Sequence, residues 1–185
     1  AAALGACVPR AVPGAAVLGA CAALGRGSAL VDVVLMTALF TIGAMAVASG
    51  RPGPEILRNA AAALFPVVYI GLPLGALAAV RLLGGREAVL LLMATIVISD
   101  SAQYYTGRAL GRRPLAPAIS PKKTVEGAVG GLVFGTLAFV VGARFVFGTA
   151  PALLVTLVGA SIAALGIVGD LFESLLKRSA GVKDS

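Results

Sequence analysis

Two acidic residues sit where a chain this apolar has no topological use for them. Asp100 lies in TIVISDSAQYY and Asp170 in GIVGDLFESLLKR. Ionisable residues within apolar spans are costly and are candidates for function. Asp170, Glu173, Ser174, Lys177 and Arg178 fall at i, i+3, i+4, i+7 and i+8, one face of a helix. Asp100, Gln103, Tyr104, Gly107 and Arg108 repeat those offsets. Each stripe runs from an acid to a base. A third cluster, AISPKKTVEG at 118–127, sets Lys122 and Lys123 between Ser120, Thr124 and Glu126. Ser120-Pro121 has the form of a helix start, with Ser as N-cap and Pro in the first helical position. The free N–H groups of such a start, with both lysines and the Thr124 hydroxyl, make an anion site. Glu126 is then three residues from Lys123 and four from Lys122, in reach of either. The Lys-Thr pair lacks the glycines of a nucleotide-binding P-loop. Carboxylates able to hold a divalent cation, next to a basic phosphate site, are the parts of a phosphoryl or nucleotidyl transfer centre. Such chemistry needs positioning and charge neutralisation more than a protein nucleophile.

A membrane chain has to position these residues. Of 185 residues, 59% are hydrophobic and 12% charged, with mean hydropathy +1.00. A soluble domain averages about 25% charged residues. The expected class is an all-α polytopic membrane protein, since the alternating ~10-residue pattern of a barrel strand is missing. Six transmembrane helices are expected, roughly 11–25, 29–49, 60–80, 88–106, 128–147 and 152–171. Short connectors separate them: GRGS at 25–28, GRPGPE at 50–55 and GGRE at 84–87. Gly71 with Gly75, and Gly127, Gly131 and Gly135, have the spacing that lets helices pack closely. Eleven of the Lys and Arg residues flank one side of these spans and four the other. The positive-inside rule places the eleven, with 107–127 and the segment after 171, in the cytosol. Both stripes then end on that side and are expected to face each other across a polar, cytosol-facing cleft. Residues 1–87 would form N-terminal helices with a structural or dimerising part. Residues 88–185 would form a catalytic membrane domain with a cytosolic loop at 107–127 and a polar C-terminal helix at 170–185. Cys7 and Cys21 stand alone, without metal-ligand spacing, and the chain has no His.

The stretch SDSAQYYTGRALGRRPLAPAISPKKTVEGAVGG, 99–131, together with GDLFESLLKRSAGVKDS, 169–185, resembles the phosphatidate cytidylyltransferase (CDP-diacylglycerol synthase) family. The likeness is detailed over about fifty residues, and elsewhere only the multi-span hydropathy agrees. It implies an enzyme of phospholipid biosynthesis that makes CDP-diacylglycerol and pyrophosphate from CTP and phosphatidate. It further implies a bacterial cytoplasmic (inner) membrane location with the site facing the cytosol, a homodimer among membrane lipids, and no nucleic-acid partner. Mg²⁺ is the implied cofactor, with K⁺ assisting some members. By the same likeness Asp170 would bind the metal, with Glu173, Asp184 and Asp100 as further carboxylates. Lys122, Lys123, Lys177 and Arg178 would hold phosphates and offset charge in the transition state. Ser120, Tyr104, Arg108, Thr124, Glu126, Ser174 and Lys183 would bind substrate or shape the cleft. The family signature runs on past KDS to Pro-x-His-Gly-Gly and Asp-Arg-x-Asp, whereas this sequence stops at Ser185. A chain ending there is expected to be impaired. Ser101-Ala102-Gln103 also departs from the family pattern and leaves the role of Gln103 open. Rival readings are an ion-coupled transporter, which intramembrane acids and Gly-interrupted spans also fit, a CTP-dependent polyprenol kinase, and a non-catalytic lipid-binding subunit.

Overall fold

A computed structural model describes residues 28–48, 53–179 and 181. The chain divides into two compact units, Ala1–Gly85 and Arg86–Ser185. Helix α1, Ser28–Ala48, takes up the second expected span, while the first, 11–25, lies outside the described residues. Helix α2, Pro54–Pro66, starts with Pro at its first turn, where a missing N–H costs nothing. At its other end Pro66 cannot donate into the ladder, and the backbone widens into a π turn, Val67–Gly71. Helix α3, Leu72–Leu110, follows directly. From Pro54 to Leu110 the run is 57 residues. A bilayer core takes only about 20 helical residues. The run is broken at Gly85, whose φ of 76° glycine alone adopts freely. The expected spans 60–80 and 88–106 fall on either side of this break.

In the second unit, α3 after the break is joined by α4, Val125–Val146, and α5, Ala152–Ser179. Leu91, Phe139, Ala143 and Val155 form its buried cluster, with Ile162 and Val140 against it. Glycines set how close α4 comes to α3. A Cβ at Gly127 would lie 2.7 Å from the Gln103 carbonyl oxygen, and one at Gly131 would lie 3.0 Å from that of Ser99. The buried Ser99 hydroxyl donates to the Gly131 carbonyl at 3.0 Å, a polar link where small residues already permit contact. Large apolar side chains such as Val97, Phe134, Leu137, Val141, Leu157 and Leu165 are exposed. A water-solvated domain would not present such faces on every helix; a lipid-solvated one does.

Among the described residues, three stretches are long and apolar enough to cross a membrane: Pro54–Leu110, Val125–Val146 and Ala152–Ser179. The fold departs from the all-α expectation in one place. Strands β1, Pro114–Ala116, and β2, Ser120–Thr124, form an antiparallel ribbon between α3 and α4. The expected helix start at Ser120-Pro121 is therefore corrected. Helix α4 begins at Val125 with Thr124 as its N-cap, the Thr124 Oγ1 accepting from the Gly127 N–H at 3.1 Å.

Candidate active site

The ribbon does more than connect two helices. Register pairs Pro114 with Thr124 and Ala116 with Ser120, so five residues of β2 oppose three of β1. In a regular strand, adjacent side chains point to opposite faces. The surplus residues make this a bulge, which re-aims side chains. Lys122 and Lys123, though adjacent, thus both line one cleft. Pro121 fits there because a two-stranded ribbon leaves edge positions with no ladder bond to lose.

That cleft, of ≈ 500 Å³, lies wholly within the second unit. Its walls are Asp100, Gln103, Tyr104, Gly107 and Arg108 from α3, Ser120, Lys122, Lys123 and Thr124 from β2, and Asp170 from α5. Lys123 Nζ donates to Asp170 Oδ2 and ties β2 to α5. The Lys123 side chain is only 17% exposed, against 44% for Asp170, so the lysine has little water to fall back on. Arg108 donates to the Tyr104 hydroxyl at 3.2 Å, one turn apart on α3. The Thr124 oxygen caps α4, and its side chain also lines the cleft.

Other predicted residues take different places. Glu126 is not on the cleft wall. Its Oε2 accepts from the backbone N–H groups of Arg112 and Arg113, at 3.0 and 3.2 Å, and fixes the ribbon to α4. Because α4 starts only at Val125, Glu126 shares no helical face with either lysine. Glu173 pairs with Lys177 at 3.0 Å along α5, both well exposed. Arg178 donates to the Ile119 carbonyl at 3.4 Å and braces the ribbon turn. Ser174 is half-buried and does not line the cleft. Lys183 and Asp184 lie outside the described residues.

Sequence reasoning placed Gln103 and Gly107 on the stripe expected to face the cleft but gave neither a role there, and both line its wall. Their signal was membership of the Asp100 stripe. Gln103 Oε1 is buried with no hydrogen-bond partner among the described residues, which is uncommon for a buried polar atom.

The sequence profile of the cytidylyltransferase family matches residues 10–185. The chain belongs to this family. The family match takes in the whole cleft. The phosphatidate cytidylyltransferase of Aquifex aeolicus is 43% identical over 89 residues, 48% of this chain and 32% of that protein. That of Mycobacterium leprae is 38% identical over 143 residues, 74% of this chain and 44% of that protein. That of Mycobacterium tuberculosis is 33% identical over 171 residues, 90% of this chain and 52% of that protein. The chain thus spans about half or less of the length of these relatives.

Proposed function

We propose that this chain carries the membrane core of an enzyme that transfers the cytidylyl group of CTP to phosphatidate, giving CDP-diacylglycerol and pyrophosphate. One observation supports this most directly. In a cytidylyltransferase-family chain, Arg108, Lys122 and Lys123 meet Asp100 and Asp170 in a single cleft, on helices apolar enough to cross a bilayer. Cations for phosphates and carboxylates for a metal are what the transfer needs, and the surrounding helices suit a lipid acceptor.

An oxygen of the phosphatidate phosphate attacks the α-phosphorus of CTP; a new P–O bond forms there, and the bond to the β,γ-diphosphate breaks. The attacking group is already largely a dianion at neutral pH, since a phosphate monoester has its second pKa near ~6. No strong general base is required, which fits a cleft without one. Lys122, Lys123 and Arg108 hold the phosphates and offset charge in the transition state. The Ser120 and Thr124 hydroxyls donate to phosphate oxygens, and Tyr104 orients Arg108.

The donor set fits Mg²⁺. Among the described residues no group of three or more acids, His or Cys could hold a metal by itself. Mg²⁺, however, commonly binds through one or two carboxylates plus substrate phosphates, keeping several waters. Asp170 and Asp100 would supply the protein oxygens. When bound, Mg²⁺ would neutralise phosphate charge as pyrophosphate leaves. In this reading Asp184 adds a carboxylate and Lys183 a phosphate contact, the cleft opens to the cytosol at a bacterial inner membrane, six helices span it, and two copies associate.

The test uses the full-length protein in detergent with phosphatidate, labelled CTP and Mg²⁺. A Mg²⁺-dependent labelled CDP-lipid is expected. Folded protein that leaves no label in the lipid fraction would overturn the reading and make solute transport the next assay.

A further inference from the structure

The two lysines of β2 are adjacent and line one cleft, yet their positions differ. Lys122 is exposed and makes no ion pair among the described residues. Lys123 is mostly buried and committed to Asp170 Oδ2. We infer that Lys123 is a built-in counter-ion that must leave Asp170 before this carboxylate can hold a divalent cation, so that cation and phosphate bind the cleft cooperatively. The inference rests on the proposed role of Asp170 as a cation ligand.

The physical case is short. An ammonium group and a divalent cation compete for the same carboxylate oxygen, and they repel each other at that distance. Lys123 cannot simply swing into water, because its side chain is largely enclosed. It needs another anion within reach. A phosphate group entering the cleft between Ser120, Lys122 and Thr124 provides one. Phosphate therefore draws Lys123 from Asp170 and opens the carboxylate. Linkage then requires the converse, that a cation on Asp170 frees Lys123 for phosphate and tightens phosphate binding by the same factor. Lys123 acts here as a positioning residue for the cation as well as a phosphate ligand.

The experiment titrates the full-length protein in detergent with Mn²⁺ in place of Mg²⁺ and reads free Mn²⁺ by electron paramagnetic resonance, without nucleotide. Lys123→Met and Lys122→Met each remove one positive charge, so long-range charge effects largely cancel between them. Lys123→Met should bind Mn²⁺ about tenfold more tightly than Lys122→Met, the scale of a lost competing ion pair. Lys123→Arg, which keeps a cation on Asp170, should stay near the unaltered protein. Inorganic phosphate should tighten Mn²⁺ binding to the unaltered protein and to Lys122→Met by a larger factor than to Lys123→Met, where only direct contact between phosphate and cation remains. Equal shifts in the two methionine variants, a Lys123→Arg variant that behaves like Lys123→Met, phosphate tightening Mn²⁺ equally in all, or no saturable Mn²⁺ binding would each overturn the inference. The labelled-CTP assay on the same preparations separates the two ideas. CDP-lipid formation with equal Mn²⁺ shifts removes only the lysine exchange. A Lys123-specific shift without CDP-lipid removes only the cytidylyl transfer.

Discussion

Two stripes with the same spacing meet different fates. On α3, Asp100, Gln103, Tyr104, Gly107 and Arg108 all line the cleft. On α5, the stripe from Asp170 to Arg178 contributes Asp170 alone. Of the other residues in that stripe, Glu173 pairs with Lys177, and Arg178 donates to the Ile119 carbonyl of the ribbon turn. The difference lies in what each helix runs beside. The last turns of α3 lie along β2, where Gly107 and Gly111 bring the backbone close to Thr124. Helix α5 meets the cleft at one turn only. Helical spacing tells which residues share a face, whereas a neighbouring element decides how much of that face becomes a site.

The largest expected effect comes from the one α5 residue on the cleft wall. Asp170→Asn removes the charge that would hold a cation and that now pairs with Lys123. It should lower CDP-lipid formation by about a hundredfold or more, the scale seen when a group acting on developing charge is lost. Glu173→Gln removes only an exposed ion pair, of the kind worth about 0–1 kcal/mol, and should cost no more than a few-fold. Both rates are measured with labelled CTP on protein whose thermal unfolding has been checked. Comparable losses would mean that the α5 stripe acts as a unit, and the contrast between the helices would fail.

The arginines give a second, smaller contrast. Arg108→Gln takes a cation from the cleft wall and should lower the rate about tenfold or somewhat more, as for one charge-assisted hydrogen bond. Arg178→Gln loses a long hydrogen bond to a carbonyl and should change the rate less than about threefold, with a slight fall in unfolding temperature. If Arg178→Gln proved the more damaging to turnover while stability held, Arg178 would reach substrate directly.

Much of this was legible beforehand because a bilayer leaves a strong mark on sequence. Apolar runs of about 20 residues have few other uses, and α1, α3, α4 and α5 lie where such runs were expected. Asp100 and Asp170 stood out because an acid in such a run is costly. The ribbon was not legible. Ser120-Pro121 is a good local helix start, but Thr124 is an equally good cap, and local signals cannot rank them. The choice is made by pairing with Pro114–Ala116 and by Glu126 reaching the Arg112 and Arg113 N–H groups, contacts made from across the ribbon. Neither strand has the β-branched, alternating pattern that would announce it. The bulge that turns both lysines into the cleft follows from that pairing, so it was hidden with it.

The smallest effect tests whether the ribbon-to-helix junction serves the cleft or only the fold. Thr124 does three things: its oxygen caps α4, its side chain packs beside Gly111, and it lines the cleft. Thr124→Ala loses the cap and the hydroxyl; it should cost about 1 kcal/mol of stability, the usual scale for an N-cap. Thr124→Ser keeps the oxygen and gives up only the methyl, so it should recover most of that loss in a thermal unfolding measurement. Turnover decides the rest. If the hydroxyl also donates to substrate phosphate, Thr124→Ala should be slower than its stability loss explains, at temperatures where it is fully folded, and Thr124→Ser should restore the rate. An alanine variant with normal turnover below its unfolding transition would leave Thr124 a cap alone. Phosphate recognition by β2 would then rest on Ser120 and the two lysines.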